Sequence, residues 1–148
     1  MDRKLIVFAL ICGLFLAGCS SRAGDVENRG TINPEPTQVE PPQEYTNRTN
    51  PFDGDAAAPE DGKVVYLTNC ASCHGESAKG DGPAAISLDP KPQNLADTVG
   101  NISDGYLFWR ISEGGMMAPF HSVMPAWKTI LSEDQIWQVI TYLRSLGG

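Results

Sequence analysis

Two cysteines three positions apart with a histidine directly behind them, in Cys70-Ala71-Ser72-Cys73-His74, decide most of what this chain of 148 residues can become. On one helical turn the two thiols can each add to a vinyl group of haem, and the adjoining imidazole can then reach the iron from one side. Other uses of a C-x-x-C pair need partners that this sequence does not supply. A zinc site needs a second pair of ligands at finger-like spacing. A thioredoxin-like redox pair needs a β-α-β pattern around it. A plain disulfide gives no reason for His74 directly after the pair. Only two further cysteines exist, Cys12 and Cys19, too few for a disulfide scaffold.

Those two lie in a segment of another kind. Arg3 and Lys4 precede an unbroken apolar run from Leu5 to Ala17, too short for a comfortable membrane span and right for the core of a signal peptide. The run ends in Leu16-Ala17-Gly18-Cys19, which resembles the bacterial lipobox. Residues 1–18 therefore read as a lipoprotein signal peptide, with Cys19 as the lipidated first residue of an exported chain. Each buried CH₂ of an acyl chain contributes about 0.8 kcal/mol, so two or three such chains hold a protein on a membrane without crossing it. The expected place is the extracytoplasmic face of a bacterial membrane, the periplasmic side in a Gram-negative cell. Export agrees with the haem motif, since c-type attachment is completed outside the cytoplasm.

Residues 19–58 carry Pro34, Pro36, Pro41, Pro42 and Pro51, an excess of acids over Arg22, Arg29 and Arg48, and few large apolar side chains. Val26, Ile32, Val39, Tyr45 and Phe52 are too sparse to build a core. The segment reads as a Pro-rich acidic tether, although a stretch ordered only against a neighbouring subunit has the same composition. From residue 59 to 148 the pattern becomes that of a small domain. Pro59-Glu60-Asp61-Gly62 opens a helix that runs to Cys70. Residues 76–95 are loop, with a turn near Ala84 to Ser87. Ser103 is an N-cap for a helix ending at Gly114-Gly115, with Leu107, Phe108 and Ile111 on its buried side. Residues 116–128 are loop again. Ser132 with Gln135 forms a capping box, followed by Ile136, Val139, Ile140 and Leu143 at helical spacing. About 90 residues with this much loop make a marginal protein core, so something else should fill the interior.

The domain resembles the class I c-type cytochromes, the small monohaem electron carriers. Gly62, Tyr66 and Cys70 stand at four-residue intervals, as in the first helix of that family. Tyr142 is similar to the aromatic of its last helix, which crosses the first closely. Met124-Pro125-Ala126-Trp127 resembles the loop that supplies a methionine ligand, and Pro90 to Leu95 the loop beside the proximal histidine. The resemblance implies an all-α class I cytochrome c fold, three to four short helices and long loops around one covalently bound haem c. It implies Cys70 and Cys73 as the attachment points, His74 and Met124 as axial ligands, and Pro92, Leu95 and Trp127 in the haem pocket. It places the backbone acceptor for His74 at Pro92, although Gln93 interrupts the commonest pattern there.

Read from the residues alone, Met116, Met117, His121 and Met124 all compete for the second axial position. A thioether raises the reduction potential and a second histidine lowers it. Pro125 restricts Met124 to extended backbone. Arg110 has two readings, a partner for a haem propionate or a solvated helix position. Among Trp109, Trp127 and Trp137, only Trp127 is carried by the ligand loop.

A six-coordinate haem leaves no open site for substrate. The expected function is one-electron transfer by a membrane-tethered carrier in a respiratory or photosynthetic chain, not itself an enzyme. The lipoprotein layout resembles the monohaem subunit of a quinol-oxidising assembly such as alternative complex III. Without Met124 on the iron, the open distal site would instead suit a haem enzyme or gas sensor. Eleven basic against 18 acidic residues, a net charge of −7, exclude nucleic acid as a partner. The expected partners are redox proteins, docking through a basic face or through apolar contact, and the membrane through the lipid anchor.

Overall fold

Helix-forming residues collect around three stretches, and in the computed structural model, which describes residues 39–147, each is a helix of two turns or more. They are α2 (Ala58–Asn69), α5 (Asp104–Glu113) and α6 (Glu133–Leu146). Single turns form α1 (Gln43–Thr46), α3 (Ala71–His74) and α4 (Leu95–Thr98), and 3₁₀ turns occupy Ala85–Ser87, Val99–Asn101 and Trp127–Thr129. No strand occurs among the described residues. The fold is all-α with long loops, as the sequence suggests.

Local chemistry sets the helix ends. Pro59 sits in the first turn of α2, where its missing N–H costs nothing, and Glu60 and Asp61 face the positive end of the dipole. The Ser103 hydroxyl accepts from the Tyr106 N–H to start α5. Ser132 and Gln135 exchange hydrogen bonds in a full capping box at the start of α6. Near the other end of α6, Arg144 donates to the Ile102 carbonyl at 2.6 Å, to Asp104 at 2.7 Å and to the Val99 carbonyl. One guanidinium thus ties α6 to the turn that precedes α5.

Helices α2 and α6 cross at their backbones. Ala58, Gly62 and Tyr66 form the buried stripe of α2. A Cβ on Gly62 would overlap the carbonyl of Gln138 in α6, so only glycine permits this approach. One turn further on, the rings of Tyr66 and Tyr142 pack with centroids 5.3 Å apart. Ile136, Val139 and Ile140 complete the α6 side of the core, and Phe108 of α5 meets Trp137 at 4.3 Å.

One expectation needs correction. Residues 39–57, read above as part of a tether, pack on this domain. Val39, Tyr45 and Phe52 lie against the core. Arg48 pairs with Glu133 at 2.5 Å and stacks 3.9 Å over the Phe108 ring. Asn50 donates from its amide to the Trp137 carbonyl at 3.2 Å and to the Thr141 hydroxyl at 2.8 Å, and its N–H meets Asp104. The segment covers part of α5, with Tyr45 against Phe108 and Gly105, which adds to the burial of that helix from Gly105 to Trp109. The approach is close enough that a Cβ on Gly105 would overlap the Tyr45 carbonyl. Sparse apolar side chains cannot build a core of their own, but they can dock on one built by others. The signal segment 1–18, Cys19 and the tether up to residue 38 lie outside the described residues.

Candidate haem-binding site

Cys70 caps the end of α2, and its carbonyl accepts from the Cys73 N–H at 3.1 Å and the His74 N–H at 2.9 Å, so the pentapeptide turns back as α3. The following loop grips this turn from outside. Gly80 N–H donates to the His74 carbonyl at 2.8 Å, and Ala84 N–H to the Ser72 carbonyl at 2.9 Å. The Ala78 carbonyl, fully buried, accepts from Leu95 N–H at 2.7 Å and so fixes the 90–95 stretch beside the motif. The Tyr66 hydroxyl donates to the Gly75 carbonyl at 2.7 Å and ties the motif back to α2.

Cys70, Cys73 and His74 line a largely apolar cleft of roughly 1210 Å³, counting its open mouth. Pro92, Leu95, Met124 and Trp127 line the same cleft, so every residue singled out for the pocket converges there. Of the competitors for the distal position, Met116 is 77% exposed, and His121 is exposed with φ of 46°. Met117 packs on the core, its sulfur 3.8 Å from Arg110 Nη1. None of the three lines the cleft. The Met124 loop is held to the end of α5, where Gly115 N–H donates to the Met124 carbonyl at 2.9 Å and Ser122 N–H to the Gly115 carbonyl at 2.8 Å.

Burial governs the ionisation of the groups on the motif side of the cleft. Burial lowers the His74 pKa, with the Gln93 carbonyl pulling weakly the other way, so the imidazole is held in its neutral, ligating form. Its Nδ1 is buried without a well-aligned partner, and Gln93, not Pro92, supplies the facing backbone. Burial pushes the Cys70 thiol up to about 12, with Cys73 adding to the effect. A redox-active thiol pair needs the opposite shift. Both cysteines are unpaired, and among the described residues no group of three or more His, Cys, Asp or Glu is placed to hold a bare metal ion.

Arg110 also lines the cleft, and burial depresses its pKa. It stacks 3.4 Å over the Phe120 ring and donates to the Gly114 carbonyl at 2.6 Å, and no carboxylate among the described residues pairs with it. Arg110 is thus half-buried against Phe120 and is not on a fully solvated helix face. Trp109 and Trp137 are core side chains outside the cleft. Tyr66, Tyr106 and Phe120 line it as well and were not singled out as pocket residues. Tyr106 lies one helical turn before Arg110, a spacing that could have marked a shared face; Phe120 sits in an irregular loop that offers no such signal.

An all-α domain with a vicinal C-x-x-C-H turn and a methionine loop on one apolar cleft is a haem-binding electron-transfer domain. The cytochrome c family model matches residues 59–147, and the chain belongs to that family. It is 32% identical over 138 residues to the cbb3-type cytochrome c oxidase subunit CcoP of Azospirillum brasilense, covering 86% of this chain and 45% of that protein. It is 37% identical over 95 residues to the corresponding subunit FixP of Rhizobium meliloti, covering 60% and 28%. The chain thus spans less than half the length of these curated relatives. Among solved structures it is similar to cytochrome cL of Methylophaga aminisulfidivorans, with TM-score 0.50 and 26% identity over 64% of this chain and 59% of that one. No helix of the described residues is long and apolar enough to cross a membrane.

Proposed function

We propose that the protein is a membrane-tethered monohaem cytochrome c that passes single electrons within a respiratory chain. The observation that carries this reading is the convergence of Cys70, Cys73, His74 and Met124 on one apolar cleft. Cys70 and Cys73 would hold the haem through thioether bonds, with His74 and Met124 as axial ligands. The bound haem supplies a one-electron couple. The chain's own residues supply what sets and protects that couple. His74 brings a neutral imidazole fixed by the loop 75–95. Met124 brings a soft thioether, which favours the reduced state. Leu95, Trp127 and Phe120 exclude water. Arg110, a half-buried cation that no carboxylate pairs with among the described residues, supports a reading in which it faces a propionate.

The quinol-oxidising assembly expected from the sequence and the terminal oxidase named by the relatives are two settings for this same chemistry. Similarity to CcoP and FixP supports the oxidase. The tether would be the diacylglyceryl chain of Cys19, on the extracytoplasmic side of a bacterial membrane. Redox titration of the purified protein tests the core of the proposal. One wave with a one-electron slope and a thioether-to-ferric-iron charge-transfer absorption is expected. Fast carbon monoxide binding to the reduced protein without that absorption would instead indicate an open distal site.

A further inference from the structure

The segment 39–57 does more than cover α5. The Tyr45 hydroxyl donates to Glu113 Oε1 at 2.5 Å. The same carboxylate receives Lys128 Nζ at 2.8 Å. Glu113 is the last residue of α5, two positions before the Gly115 N–H that holds the Met124 carbonyl. Lys128 stands four residues beyond Met124, on the 3₁₀ turn Trp127–Thr129. One carboxylate therefore joins the N-terminal segment, the end of α5 and the far side of the methionine loop. The charge states agree with this geometry. The Tyr45 hydroxyl is pushed up to about 12, by burial first and then by Glu113, so it stays a neutral donor. Glu113 is held below the ordinary carboxylate range, first by Lys128 and then by Tyr45, so it stays an ionised acceptor.

The rest of the segment is fastened elsewhere. Asn50 is bonded to α6 and to Asp104, and Arg48 to Glu133. None of these touches the methionine loop. Among the hydrogen bonds and ion pairs of the segment, that of Tyr45 reaches the loop's anchorage, through Glu113.

We propose that Tyr45 and Glu113 are positioning residues that latch the Met124 loop closed, so that the N-terminal segment governs how readily the thioether leaves the cleft. The inference rests on reading Met124 as the axial ligand. Opening the loop requires the Glu113–Lys128 bridge to part, and Tyr45 stabilises Glu113 in the position that makes the bridge.

Imidazole binding to the ferric, full-length haem protein measures this opening, because at saturating imidazole the rate is limited by departure of Met124. Tyr45→Phe and Glu113→Gln are each expected to raise that rate about tenfold, the effect of losing one charge-assisted hydrogen bond. The double variant should raise it by less than the product of the two, because they share one interaction. Asn50→Ala is expected to lower the melting temperature yet leave the rate within about twofold of wild type. An unchanged rate in Tyr45→Phe, or an equal increase in Asn50→Ala, would overturn the latch while leaving Met124 as ligand. Absence of the charge-transfer absorption in the wild-type protein would remove the Met124 reading and the latch with it.

Discussion

Met116 and Met124 share one loop, yet the first is 77% exposed and the second faces the cleft beside Trp127. Burial, not residue type, separates them. Met124→Ala should keep the covalent haem, lose the charge-transfer absorption and lower the reduction potential, while Met116→Ala should change none of these. Absorption spectra and potentiometry check both. Arg110 adds a fixed positive charge beside the cleft, which favours the reduced, less positive state. Arg110→Gln should therefore lower the potential, and Arg110→Lys should lower it less. Glu113 has a consequence for pH. Its pKa is lowered in the folded state, so its stabilising contribution is fully present above the ordinary carboxylate value of about 4.3 and disappears as pH falls through the folded-state value. Thermal melts across acid pH should show a shallower acid decline in Glu113→Gln than in wild type.

The crossing of α2 and α6 depends on the missing side chain at Gly62. Gly62→Ala must separate the two backbones or distort α2, and should cost about 2–3 kcal/mol in denaturant unfolding of the haem protein. Arg48→Ala removes a stacked, partly exposed cation and should cost about 1 kcal/mol. These elements differ in how visible they are in the sequence. The caps of α5 and α6 are local chemistry, and Ser103, Ser132 and Gln135 give both helix starts directly. The cysteine turn and Met124-Pro125 are local motifs too, and they mark the cleft. By contrast α4 is a single turn set by Asn94, which accepts from the Asp97 N–H, and four residues carry no periodicity. The N-terminal segment was missed because its fastening is long-range. Tyr45 finds its partner at Glu113, Arg48 at Glu133 and Asn50 at Trp137, and no spacing rule connects such pairs. One sign of it was available: Tyr106 to Trp109 are four large apolar residues in a row, which point round a full turn of α5 and require cover on more than one side.

The domain from 59 to 148 carries six basic and ten acidic residues, so charge can steer it only toward a basic partner face. If encounter with a mobile partner is steered in this way, electron-exchange rates should fall as ionic strength rises. A salt-independent rate would place the domain in permanent contact with its neighbours, in the manner of an oxidase subunit. Either arrangement requires a haem in the cleft lined by α2, α5, α6 and the two loops, the group that membership of the cytochrome c family implies. Intact mass of the full-length protein, extracted from membranes of a host that makes c-type cytochromes, tests that requirement. The expected mass is the mature polypeptide from Cys19 with its acyl chains plus one haem, the haem surviving denaturation because it is bonded to Cys70 and Cys73. A colourless protein with the mass of the bare or merely acylated polypeptide would contradict the account.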